Sequence, residues 1–181
     1  TSRKKMTMMK LMYITNKPAV ARIAENAGVD WIFLDMEVIG KAFRQSGLNT
    51  VQNNHTVDDI KRIRKAIKKS KLLVRVNPIH DALENYPSSK DEIDATIEAG
   101  ADILMLPYFK TVEEAKTFIH LVNGRAKTLL LLETVEAANL IDDILEVPGI
   151  DMIHLGLNDM HLELGMNFMF ELLADGTVEI A

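Results

Sequence analysis

Apolar positions along the chain fall into short unbroken runs, separated by longer segments with apolar residues every three or four positions. The first kind reads as buried strand, the second as amphipathic helix. "KLMYIT" (Lys10–Thr15) is strand. "PAVARIAENAG" is helix, with Pro18 at its first position, Gly28 as its stop, and Ala19, Ile23, Ala24 and Ala27 as its apolar stripe. "VDWIFLDME" (Val29–Glu37) is strand, and a long polar stretch then runs to about Asn54. "HTVDDIKRIRKAIKKS" is helix with Thr56 as cap, and "KLLVRVNP" is strand. "SKDEIDATIEAG" is helix with Ser89 as its cap, and "ADILMLPY" is strand. "TVEEAKTFIHLVNG" is helix, with Thr111 and Glu114 at capping-box spacing. "TLLLLE" is strand, "TVEAANLIDDILEVPG" helix, "IDMIHLGLND" strand, and "MNFMFELLADG" a final apolar helix.

Six strands thus alternate with helices. Unbroken apolar runs are what parallel strands covered on both faces require. The alternation means βαβ units, built either as an open doubly wound sheet or as a (β/α)8 barrel. No Gly-rich phosphate fingerprint follows any strand, which weakens the dinucleotide-binding version. Instead a unit recurs in "AGVDWIFLD", "AGADILMLP" and "VPGIDMIHLG": a helix stop, an aspartate, a buried strand. Repetition of this kind favours the barrel. A barrel takes about 250 residues, and this chain has 181. The expectation is therefore one barrel domain over residues 9–181, truncated after about the sixth βα unit, with residues 1–8 upstream. Further chain, an oligomer or an altered closure would complete the core.

Composition narrows the function. The net charge of −5 argues against a general nucleic-acid binder. The absence of cysteine excludes disulfides and thiolate metal sites. No apolar run approaches the roughly 20 residues of a membrane span. The basic start lacks the apolar core of a signal peptide, so a cytoplasmic protein is expected. The ten methionines fall at core spacings and read as packing.

In a barrel the chemistry stands at the C-terminal ends of the strands. There the sequence puts Asp35 and Glu37, Arg75 and Asn77, Pro107 and Tyr108, Glu133, and the "GLND" of Gly156–Asp159. Any one of these carboxylates is as readily a helix or loop cap as a functional group; their joint placement is the signal. The leucines of "LLLLETVEAANL" anchor a strand in the core and leave Glu133 at its rim. Glu133 and Asp159 end neighbouring strands, and hard oxygen ligands suit Mg2+ or Mn2+. A 2-oxo acid, offering a carboxylate and a keto oxygen, would fill two of the remaining positions. The metal would stabilise an enolate, Arg75 would share the charge on its oxygen, and the turn amides would bind the substrate carboxylate. His154, inside the last strand, reads as a buried, hydrogen-bonded core histidine. His161 and Glu163, just past Asp159, read as possible supports of the metal site.

Taken in order, "AGVDWIFLDME", "LLVRVNP", "AGADILMLPY", "TVEEA" and "LLLLETVEAANLIDDILEVPGIDMIHLGLNDMHLELG" resemble the HpcH/HpaI aldolase and citrate-lyase β-subunit superfamily, from about Met9 onward. The resemblance implies a (β/α)8 barrel of the phosphoenolpyruvate/pyruvate-binding type, often hexameric, that makes or breaks carbon–carbon bonds next to a 2-oxo acid with a divalent metal. It puts the metal on Glu133 and Asp159, the substrate oxygen on Arg75, and the substrate carboxylate near Gly156, Leu157 and Asn158. Three positions depart from it, one of them Leu157, which makes the common "GPND" read "GLND". The second strand ends in "DMEV", so Val38 stands where such aldolases carry a histidine base, while Asp35 and Glu37 remain. Leu131 stands where they carry a glutamine. His55, on the long loop, is the candidate replacement base, Glu37 the second, and Lys41 and Arg44 are available to an anionic substrate.

The reading expects a metal-dependent lyase of a 2-oxo acid with an aldehyde or acyl partner, in a homo-oligomer, trimer or hexamer. Two alternatives stand beside it. One is a CoA-thioester lyase, for which "KRIRKAIKKSK" (Lys61–Lys71) offers basic residues, although a solvated helix face explains that run more simply. The other is a homologue that binds metal and 2-oxo acid without catalysis.

Overall fold

The computed structural model describes residues 9–40 and 53–174. The strands are β1 (Met12–Ile14), β2 (Trp31–Asp35), β3 (Lys71–Arg75), β4 (Ile103–Leu106), β5 (Lys127–Leu132) and β6 (Met152–Leu155). The helices are α1 (Pro18–Asn26), α2 (Val57–Ala66), α3 (Ser89–Glu98), α4 (Val112–Val122), α5 (Val135–Asn139), α6 (Ile141–Leu145) and α7 (Leu157–Glu163), followed by a 3-10 turn at Met169–Leu173. All six strands are parallel and lie in sequence order, each paired with the next. This is a curled part-barrel with helices outside, as the alternation predicts. Among the described residues no helix is long and apolar enough to cross a membrane.

Each strand packs on two sides, which is why its sequence shows no apolar–polar alternation. Ile32, Leu34, Leu72, Val74, Leu104, Leu106, Leu130 and Leu132 face the helices, where they meet Ile60, Ile63, Ile93, Phe118 and Ile144. The residues between them face the inside. Leu73, Ile103, Met105, Leu129 and Leu131 form a second, smaller cluster there, packed by Met12, Trp31, Phe33 and Met152. This inward parity decides which side chains reach the site.

The recurring aspartate has a structural task. Asp30 accepts the Leu11 amide at 3.0 Å, Asp102 the Leu72 amide at 2.8 Å, and Asp151 the Thr128 amide at 2.9 Å. Each thereby ties the start of its own strand to the start of the strand before. The lysine preceding each amide pairs with the same carboxylate: Lys10 with Asp30 at 2.7 Å, Lys71 with Asp102 at 3.6 Å, and Lys127 with Asp151 at 2.6 Å. Three copies of one clasp therefore hold the strand pairs β1–β2, β3–β4 and β5–β6 at their N-terminal ends, away from the site.

Most helix signals hold. Thr56 and Thr111 form capping boxes with Asp59 and Glu114. Gly28 and Gly100 end their helices at φ 92° and 106°. Four details differ. Ser88 caps α3, while Ser89 is its first residue. Helix α1 buries Ala21 and Ala24, so Ala19, Ile23 and Ala27 face outward. The expected long helix after Glu133 breaks at Leu140 into α5 and α6. The last strand stops at Leu155, and Leu157, Asn158 and Asp159 begin α7.

Candidate active site

A cavity of about 400 Å³ opens at the C-terminal ends of the strands. Inward parity brings Phe33, Arg75, Met105, Leu131 and His154 to its wall. Glu37, Glu133, Gly156, Leu157, Asn158 and Asp159 stand at its rim. Seven of the eleven residues predicted on strand ends or in the "GLND" turn thus line one space; Asp35, Asn77, Pro107 and Tyr108 do not.

Asp35 sits behind Arg75. It is 1% exposed and takes the guanidinium in a two-pronged grip, Nε to Oδ1 at 2.9 Å and Nη2 to Oδ2 at 2.8 Å. Glu37 approaches Arg75 Nε at 3.5 Å. Burial opposes the Arg75 charge, but the bonds to Asp35 and the fields of Asp35, Glu37 and Glu133 outweigh it and raise its pKa further above the ordinary value. Asp35 is therefore a positioning residue that aims a permanently charged fork at the cavity.

Glu133 is held from two sides. The Tyr108 N–H donates to its Oε1 at 2.9 Å. Tyr108 adopts φ 47°, an uncommon left-handed conformation for an aromatic residue, at the turn that presents this amide. Gly156 packs on the opposite side, where its missing side chain leaves room for the Glu133 stem. Burial pushes the Glu133 pKa up, helped by the charges of Asp159 and Glu37 and opposed by Arg75 and the Tyr108 amide, to about 7. Such a cluster is short of positive charge.

Three carboxylates against one guanidinium fit a divalent cation. Among the described residues no group of three or more acidic or imidazole ligands is assembled. Glu133 and Asp159 form a pair of hard oxygen donors that leaves positions for water and substrate. Of the turn amides, Gly156 N–H is already donated to the Leu132 carbonyl at 2.8 Å. Leu157 and Asn158 begin a helix, so their amides have no carbonyl to accept them within it.

His55 is not brought to this cavity. Its Nδ1 accepts the Asp35 amide at 2.9 Å, its own amide bonds the Asp35 carbonyl at 3.3 Å, and it lines a separate cavity with Tyr86 and Pro87. The structure thus places the residue expected as base apart from the other site residues. Lys41 and Arg44 lie outside the described residues. His161 sets its Nδ1 3.2 Å from the Leu157 carbonyl, and Glu163 accepts the Val135 amide at 3.1 Å, capping α5. Neither lines the cavity.

His154 is the residue that sequence reasoning misplaced. It is half-buried and lines the cavity, and its ring makes no hydrogen bond among the described residues. Burial, then the nearby Arg75 charge, holds its pKa below the ordinary value. The signal was its parity: two residues before Gly156, it shares the inward face.

Residues 9–169 match the family described as HpcH/HpaI aldolase/citrate lyase. Among solved structures, an HpcH/HpaI aldolase/citrate lyase family protein from Burkholderia cenocepacia J2315 superposes with a TM-score of 0.72 at 17% identity, over 94% of this chain and 72% of that one. Citrate synthase SbnG gives 0.71 at 17%, over 94% and 70% of the two chains. An HpcH/HpaI aldolase from Desulfitobacterium hafniense DCB-2 gives 0.69 at 17%, over 94% and 71%. At that identity the likeness establishes the barrel-type fold.

Proposed function

The chain belongs to the HpcH/HpaI aldolase/citrate lyase family, and from that premise we propose that it is a carbon–carbon lyase acting on the bond next to a 2-oxo acid such as pyruvate. One observation carries the reading: Arg75, Glu37, Glu133 and Asp159 converge on one cavity at the strand ends. A 2-oxo acid is an anion, and this cavity alone, with its excess of carboxylates, would repel it. A divalent cation held by Glu133 and Asp159, Mg2+ or Mn2+, would offset that excess. When bound, it supplies Lewis acidity to the oxo oxygen.

The chain's own groups do the rest. Arg75, fixed by Asp35, donates to the oxo oxygen as negative charge gathers there. The amides of Leu157 and Asn158, at the start of α7, receive the substrate carboxylate. Tyr108 and Gly156 keep Glu133 in place. Phe33, Met105 and Leu131 line the wall with apolar surface, which strengthens the charge interactions at the rim.

The thioester alternative draws less support. Arg62, Arg64 and Lys71 are committed to Asp59 and Asp102, and Lys68–Lys71 lie at the N-terminal end of β3, opposite the cavity.

The test is pyruvate release from 4-hydroxy-2-oxo acids by the full-length protein, with and without Mg2+ or Mn2+. Metal-dependent release is expected, and Glu133→Gln and Asp159→Asn should each abolish it. A double variant with full activity would sink the reading.

A further inference from the structure

We propose that His154 is the proton-carrying residue of this site. Its imidazole takes the hydroxyl proton of a 4-hydroxy-2-oxo acid as the carbon–carbon bond breaks, and returns that proton to the three-carbon fragment. The inference rests on the function proposed above and deepens it.

The position comes from the sheet. His154 pairs with Leu131 in the β5–β6 register, and both line the cavity. Two residues further along the same inward face, Gly156 packs on Glu133. His154 is the one imidazole lining this cavity among the described residues.

Elimination leaves it the task. Arg75 keeps its proton under all working conditions and cannot act as a base. Glu37 faces that guanidinium at 3.5 Å. Glu133 and Asp159 are assigned to the cation. The other ring nitrogens with described partners are engaged elsewhere: His55 on the Asp35 amide, His80 on the Pro78 and Pro87 carbonyls and Ser89, His161 beside the Leu157 carbonyl. Among the described residues the His154 ring has no such bond, and it lines the cavity. Its surroundings favour the neutral, proton-accepting form at pH 7, through burial and then the Arg75 charge. A position required only to line the wall beside Met105 and Leu131 would be served better by hydrocarbon, since a half-buried imidazole without a partner among the described residues carries a desolvation cost.

The chemistry balances. His154 accepts the 4-hydroxyl proton, and the oxygen's electron pair forms the carbonyl of the leaving aldehyde. The electrons of the C3–C4 bond pass into the C2–C3 bond of the enolate of pyruvate. The imidazolium then gives its proton to C3, completing the methyl group and restoring the neutral ring. No oxidant or co-reactant is consumed.

The experiment uses the full-length protein with Mn2+ or Mg2+, and compares wild type with His154→Gln and His154→Asn. Exchange of the pyruvate methyl protons for deuterium, followed by NMR in D2O, reads proton transfer at C3 directly. Oxalate, which resembles the enolate and has no carbon to protonate, reads binding. Exchange and pyruvate release should both fall roughly 100-fold or more in the variants, with oxalate affinity held within about three-fold. Exchange in either variant within about three-fold of wild type overturns the inference alone. Loss of oxalate binding in both variants assigns His154 to structure and also overturns it. A wild type that neither exchanges pyruvate nor releases it overturns the proposed function, and this inference with it.

Discussion

Gly156 lies so close to Glu133 that a β-carbon on it would stand 2.6 Å from Glu133 Cβ and 3.2 Å from its Oε2. The glycine also donates its N–H to Leu132, which fixes its backbone in the sheet and leaves the carboxylate as the group that must yield. Gly156→Ala should therefore displace Glu133 while leaving the fold intact. The expected result is a loss of about 10–100-fold in Mn2+ affinity, the scale seen when a ligand's support is removed. Isothermal titration gives the affinity and thermal unfolding checks the fold. Unchanged affinity would show that Glu133 has room the packing denies it.

Arg75 and Asp35 form a buried pair, with side chains 17% and 1% exposed. Removing the cation leaves Asp35 charged and dry. Arg75→Met should cost about 3–5 kcal/mol in urea unfolding, the range for breaking a buried pair from one side. Asp35→Asn should cost less, because Glu37 and Glu133 still face the guanidinium. Arg75→Lys keeps the charge but not the fork, so it should retain more stability than Arg75→Met. Equal losses for all three would remove the two-pronged grip from the account.

The three lysine–aspartate clasps separate backbone bonding from ion pairing. Asp102→Asn keeps an acceptor for the Leu72 amide and gives up the pairs with Arg64 and Lys71. It should cost under about 1 kcal/mol, as partly exposed pairs do. Asp102→Ala strands the amide as well and should cost about 1–3 kcal/mol. Denaturant unfolding of both variants measures the difference. A loss in Asp102→Asn as large as in Asp102→Ala would assign the clasp to charge.

The strand order was open to a sequence reading because each strand is an unbroken apolar run and most crossovers end in a glycine such as Gly28 or Gly100. Glu133 was found for the same reason: four leucines ending in an acid require a change of environment. The same feature hid His154. In "LLLL" and "MIHL" both faces are apolar, so nothing in the run marks which residues point inward, and a histidine among them reads as core. His55 shows the opposite case. A polar loop leaves its residues' direction open, and contact with the Asp35 backbone turned His55 to the far side of the strand. The "GLND" turn was read as strand because its helical continuation begins only at Leu157. A cap at Ser88 rather than Ser89 lies within the ordinary slippage of helix boundaries.

Glu92 offers a test by pH. It is 3% exposed and accepts the Asn77 backbone amide at 3.3 Å and its side-chain amide at 2.8 Å, with the Tyr86 hydroxyl nearby. The Asn77 side-chain oxygen in turn accepts the amides of Val38 and Ile39, so Glu92 supports the exit from β2. Burial raises its pKa above the ordinary 4.5, and the Asn77 bonds only partly offset that. A raised folded-state pKa means the protonated form is favoured by folding. Its contribution is fully present below the unfolded value and is lost as pH rises through the folded one. Glu92→Gln keeps an acceptor for Asn77 and removes the charge. Wild type should therefore lose stability relative to the variant as pH rises above 4.5. Urea unfolding of both proteins at several pH values gives that difference free of every other titrating group. A difference that stays constant from pH 4.5 to 8 would mean Glu92 titrates alike in both states, and its burial would then carry no electrostatic cost.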